Sequence, residues 1–169
     1  MANTYTLIAS STVGSGGTAT ISFGSIPSTY TDLKLVYSAR NTVSGTQEFI
    51  KVTFNSNTSS YTLKSLQGDG NAASSNSWSF QWIGYAVGST ATASTFSNGE
   101  IYIPNYLSSN NKSFSSDNVA ENNTTSAQSI MAANLWSNTA AITSIDLTMQ
   151  GGYNFVQYST AYLYGISNS

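Results

Sequence analysis

A chain of 169 residues with five basic and seven acidic side chains, no histidine and no cysteine rules out much chemistry before any motif is read. The commonest general base at neutral pH, the serine-hydrolase triad, the thiolate nucleophile, the zinc ribbon and the disulfide framework are all missing. The net charge is −2, and Lys34, Arg40, Lys51, Lys64 and Lys112 are scattered, so no basic patch is offered to nucleic acid or to an anionic membrane surface.

What remains is a packed, weakly charged domain. Charged residues make up 7% of the chain, against roughly 25% in ordinary soluble domains. Eleven Tyr, seven Phe and three Trp argue against disorder. Thr, Tyr and Val favour strands. The length suits one domain over residues 1–169, with no composition break and no internal repeat. The N-terminus lacks the basic and apolar regions of a signal peptide, and no apolar run reaches the roughly 18 residues of a membrane span.

In chain order, residues 5–11 read as a first strand, with Tyr5, Leu7 and Ala9 on one side. A glycine turn at 14–17 leads to a second strand over 18–23, and the two together predict an N-terminal hairpin. The stretch 32–40 alternates most clearly. Leu33, Leu35, Tyr37 and Ala39 face one way; Asp32, Lys34, Ser38 and Arg40 face the other. Residues 48–54 place Ile50, Val52 and Phe54 inward, and 61–67 form the next strand. Residues 78–85, 99–106 and a weak strand near 112–116 follow. Then 127–136 and 142–150 predict an antiparallel pair around Ser137 and Asn138, and 159–166 closes the chain. About ten short strands with turn signals between them predict an all-β, antiparallel sandwich.

Residues 78–85, WSFQWIGY, are the densest aromatic stretch. On one extended strand Trp78, Phe80 and Trp82 share a face. Turned inward, they form a core stripe worth several kcal/mol at about 25 cal/mol per Å². Turned outward, they could stack on a sugar or dock on a protein. The predicted inward alternation of the neighbouring strands and the lack of convergent polar partners favour core.

Paired carboxylates are the remaining route to catalysis, as in glycoside hydrolysis. The candidates are Asp32, Glu48, Asp69, Glu100, Asp117, Glu121 and Asp146, none with a catalytic motif around it. Asp32 and Asp146 fall on predicted outward faces. The Gly68-Asp69-Gly70-Asn71 turn has oxygen ligands on a glycine loop but too few for calcium. No metal or cofactor is expected. Matches to the N-glycosylation pattern at Asn57, Asn111 and the Asn122/Asn123 pair are expected by chance in so Asn-, Ser- and Thr-rich a chain.

Several phrases together carry a resemblance: FGSIPSTYTDLKLVYSARNT at 23–42, VTFN at 52–55, IYIPNY at 101–106, AANLWSNTAAITSIDLT at 132–148 and TAYLYGI at 160–166. In these the chain resembles small virion-associated structural proteins of tailed bacteriophages, a group common in phages of aquatic bacteria. The resemblance implies a jelly-roll-like β-sandwich made in the host cytoplasm and carried on the virion. It implies a non-enzymatic decoration or cement protein that binds the major capsid protein shell or another virion protein, as a homo-oligomer with a trimer favoured. Related segments in tail proteins keep a second reading open, a receptor- or carbohydrate-binding module. Tyr102 and Tyr106, read as exposed, are the expected partner-binding residues.

Overall fold

In the computed structural model, which describes residues 4–123 and 127–167, period-two alternation builds strands along most of the chain. The first half forms β1 (Tyr5–Thr12), β2 (Thr20–Phe23), β3 (Asp32–Ala39), β4 (Gln47–Phe54), β5 (Tyr61–Gly68) and β6 (Ala73–Trp78). The second half forms β7 (Trp82–Val87), β8 (Ser97–Ile103), β9 (Lys112–Ala120), β10 (Gln128–Trp136), β11 (Ile145–Met149) and β12 (Thr160–Ile166). The described residues thus hold twelve strands rather than about ten. The strand at 73–78 has no counterpart among the predicted elements, and β9 is longer than the weak strand expected near 112–116.

Two antiparallel sheets share the strands. One runs β1-β12-β3-β8-β9-β10-β5-β6 and the other β2-β11-β4-β7. Eight of the strands pair in a nested series, β1 with β12, β2 with β11, β3 with β8 and β4 with β7. That nesting is the jelly-roll order, in which two sheets close on each other. The other four strands form two hairpins, β5-β6 and β9-β10, which widen only the larger sheet.

The core lies between the sheets. Leu33, Leu35 and Tyr37 of β3 are buried, as predicted, against Ile50, Val52 and Phe54 of β4 and Ile145 and Leu147 of β11. Each fully buried aliphatic side chain contributes about 1.5–3 kcal/mol. At one end Phe54 meets Phe114 and Trp136 edge-on at 5.1 and 5.5 Å, and Tyr61 stacks on Trp136 at 6.1 Å.

Three predicted local relations give way to long-range pairing. The first two strands form no hairpin, because β1 pairs β12 in one sheet and β2 pairs β11 in the other. Residues 127–136 and 142–150 do not pair either; β10 lies between β9 and β5, while β11 lies between β2 and β4. A bulge between Leu7 and Ala9 reverses the predicted single face of β1. Leu7 lies opposite Tyr164 on the outer face, and Ala9 opposite Leu163 packs on the core. An extra residue in one strand shifts the two-residue phase of everything beyond it.

Buried polar groups lock the two sheets together. Asn118 of β9 accepts from the Tyr85 amide at 2.8 Å and donates to the Tyr85 carbonyl, the Asn98 carbonyl and the Tyr37 hydroxyl at 3.1, 3.0 and 3.2 Å. It sits so close under Gly84 that a Cβ there would lie 2.4 Å from its side chain, and Gly84 has φ +149°. A residue with no side chain is required at that crossing. Burial raises the Tyr37 phenol pKa, the Asn118 hydrogen bond opposing it.

Candidate functional site

The aromatic stretch does not lie on one strand. Trp78 ends β6 at the edge of the larger sheet, Trp82 begins β7 at the edge of the smaller, and residues 79–81 cross between them. The predicted inward stripe is therefore replaced by a corner, the kind of place where a strand switches sheets. Phe80 stacks on Trp82 at 4.6 Å, Trp82 on Phe49 at 3.9 Å, and Phe49 on Tyr85 at 4.1 Å. Trp78 stands edge-on to Trp82 and Phe49 at 5.2 and 6.0 Å. Trp78 and Trp82 are half-buried, whereas Phe80 is 46% exposed and is not core.

This cluster packs on Leu63, Ile130 and Ala132, the inner side of the two added hairpins. It is a second, smaller core that fastens the added strands to the jelly roll. Phe80 and Phe49 both lie nearly parallel to the Trp82 ring, at 14° and 9°. A sugar stacking on Trp82 would have to compete with these two neighbours for the ring.

The two tyrosines expected to bind a partner separate. Tyr106 is fully buried, with its hydroxyl donating to the Pro27 carbonyl, so the expectation that it is exposed is corrected. The turn after Pro104 carries it inward beneath Ile142, whose amide bonds the Tyr106 carbonyl at 3.0 Å. Tyr102 does stand on the outer face. Its hydroxyl donates to Asp32 at 2.6 Å, and that hydrogen bond pushes the phenol up to about 12. Asp32, predicted as outward and solvated, is buried, and its other oxygen accepts the Asn105 amide at 2.8 Å.

The charged side chains are mostly spent on internal structure. The Arg40 guanidinium donates to the Thr92, Thr95, Ser89 and Ala91 carbonyls at 2.8, 2.9, 3.4 and 3.1 Å, tying down the connection after β7. Lys112 is buried, and its ammonium donates to the Ser108 and Asn110 carbonyls at 2.7 and 2.6 Å; burial lowers its pKa. Lys34 bridges to Glu100 at 2.8 Å.

Asp69 caps its own turn, accepting from the Asn71 and Ala72 amides at 2.9 and 2.7 Å, which lowers its pKa. Glu48 and Glu121 likewise accept nearby amides, those of Phe49 and Asn123, at 2.8 and 2.7 Å. No group of three or more candidate ligands is found among the described residues.

One carboxylate pair is brought together. Glu100 on β8 lies directly opposite Asp117 on β9. Directly opposed residues have Cβ atoms about 5 Å apart. Both project from one face of one sheet, so they approach a ligand from the same side. Glycosidase carboxylates flank the scissile bond from two sides.

The outer face of the larger sheet carries the features that sequence reading missed. Ten large apolar side chains are exposed among the described residues, and six of them, Tyr5, Leu7, Leu66, Tyr102, Met131 and Tyr162, stand on it. Two ladders cross all eight strands. One reads Leu7, Tyr164, Lys34, Tyr102 and then Ser115, Ala133, Lys64, Ser77. The other reads Ser10, Tyr162, Val36, Glu100 and then Asp117, Met131, Leu66, Ser75.

The β1 and β12 end of this face bears no charged residue. The opposite end holds a groove of about 770 Å³ lined from β8, β9, β10, β5 and β6. An outward Leu or Met within an alternating strand was the signal available for this face. Comparison with protein-family models, with curated proteins and with solved structures yields no match.

Proposed function

We propose that this protein is a non-enzymatic structural component of a virion, which docks on the capsid shell through the outer face at β1 and β12. The observation that carries the reading is the charge-free, aromatic character of that end of the sheet. Tyr5 is 53% and Leu7 51% exposed, with Tyr162 beside them, and neither β1 nor β12 has a charged residue. Interface cores are enriched in aromatics and depleted in charge. A contiguous patch of this kind on a domain surface marks an interaction site. Beneath it lies a rigid sandwich that needs no acid, base or metal to act as a clamp or cement.

The resemblance carried by the sequence supports the same reading, and a homo-oligomer, with a trimer favoured, is proposed with it. The test is to remove the protein from particles and add it back. Its loss should lower particle resistance to heat and osmotic shock, and Leu7→Lys should restore neither occupancy nor resistance. Particles indifferent to its loss, or full occupancy by Leu7→Lys, would overturn the proposal.

A further inference from the structure

The four strands β5, β6, β9 and β10 stand outside the nested set that closes the sandwich. Their inner face is sealed by Trp78, Trp82 and Tyr85, so their free surface is the outer one. There five adjacent strands line a single groove. The side-chain lengths explain its depth. Short Ser115 and Ala133 lie between the long side chains of Tyr102 and Lys64 in one ladder. With strands about 4.8 Å apart, that places walls three spacings, roughly 14 Å, from each other. The volume lies within the range of sites for small organic ligands.

The lining combines three kinds of surface. Tyr102 is a fixed aromatic wall, since its hydroxyl is held by Asp32 at 2.6 Å. Asp117 makes no hydrogen bond or ion pair through its side chain, and Glu100 beside it is held upright by Lys34 at 2.8 Å. Opposite them are the Lys64 ammonium, which donates to Ser77, and the Ser75 hydroxyl. Met131 and Leu66, both well exposed, supply apolar surface beside the floor of Ser115 and Ala133.

This set discriminates among ligand classes. Phosphates are repelled by the two carboxylates. A lipid chain would bury Asp117 without a partner, which is costly. An extended peptide added as a strand bonds a sheet edge rather than a sheet face. Sugar hydroxyls can donate to Asp117 and Glu100 and accept from Lys64, while pyranose C–H faces rest on Tyr102 and Met131.

We propose that the groove across β8, β9, β10, β5 and β6 binds a neutral oligosaccharide, a few sugar residues long. This site is separate from the docking end of the sheet, and each can fail without the other.

The test uses the purified full chain on an array of neutral and acidic glycans, followed by calorimetry with a neutral hexasaccharide that the array retains. A neutral glycan should be retained. Asp117→Asn, which keeps the shape, and Ala133→Trp, which fills the floor, should each weaken its binding about tenfold or more. Thr148→Ala on the other sheet should leave binding unchanged, and thermal unfolding of every variant verifies folding. Retention of no neutral glycan overturns the inference, as does binding undiminished by both groove variants. Preference for acidic glycans, lost with Lys64→Ala alone, also overturns it. Particle occupancy, read separately, reports on docking and not on the groove.

Discussion

On the outer face of the four-stranded sheet, one row across the strands reads Ser22, Asp146 and Thr53, and the next Thr20, Thr148 and Lys51. The same rows of the eight-stranded sheet begin with Leu7, Tyr164 and Lys34, and with Ser10, Tyr162 and Val36. Both faces arise from the same alternation, and both back onto the same core. The smaller sheet meets water with hydroxyls and one charge of each sign, the usual state of a sandwich exterior. The larger sheet leaves tyrosines and aliphatics where solvation alone would favour Ser and Thr. Two solvent-side surfaces built by one pattern therefore differ in character, and the one that departs from the pattern is the proposed docking face.

Breaking the connection between the sheets should have the largest effect. Asn118→Ala leaves the Tyr85 amide and carbonyl, the Asn98 carbonyl and the Tyr37 hydroxyl without that partner. Buried groups left unpaired cost about 1–3 kcal/mol each before relaxation, so a loss of about 3 kcal/mol is expected in urea unfolding. A loss below about 1 kcal/mol would show that Asn118 does not hold the sheets together.

Trp82→Ala tests whether the aromatic corner fastens the added hairpins. It removes two stacked neighbours from a half-buried ring, and about 2–3 kcal/mol should go, less than the full cost of a core tryptophan. Hydrogen exchange should open in β5, β6, β9 and β10 before β3 and β12. Uniform opening would contradict a separate second core.

The contrast between the faces is sharpest in a pair of lysine substitutions. Leu7→Lys and Thr148→Lys should each change stability by less than about 0.5 kcal/mol, because both positions face outward. Only Leu7→Lys should weaken docking, by about tenfold or more, equal to about 1.4 kcal/mol. Equal effects on docking would erase the distinction between the two faces.

The smallest effect expected is on pH dependence. Tyr85 is pushed up to about 12 by burial, Tyr102 to about 12 by its bond to Asp32, and Tyr37 and Tyr61 are raised by burial. A raised pKa means that the folded state holds the proton more tightly. Its stabilising contribution is whole below the unfolded value of 10.0 and is lost as the pH climbs through the folded values. Thermal midpoints should stay level from about pH 6 to about pH 9, where no side chain has an ordinary pKa because histidine and cysteine are absent, and decline above about pH 10. A midpoint that holds steady to about pH 12 would show that these phenols ionise as easily folded as unfolded.

The sequence by itself determined the class and much of the inward pattern. Leu33, Leu35 and Tyr37, like Ile50, Val52 and Phe54, are buried where alternation put them, because the side-chain period of a strand is a local property. The absence of histidine and cysteine, and the scarcity of charge, were likewise fixed by composition.

Tertiary structure alone decided which strands are neighbours. The first and last strands of the chain pair, and β10 takes β9 and β5 rather than β11, since pairing between distant segments leaves no trace in local periodicity. It decided that Trp78 and Trp82 belong to different sheets, that Tyr106 is buried while Tyr102 is not, and that a bulge turns Leu7 outward. The groove is the fullest case. Glu100, Asp117, Met131 and Lys64 are far apart in the chain and unremarkable singly. They become one surface only because two hairpins inserted at separate points are laid side by side, next to β8, in one sheet.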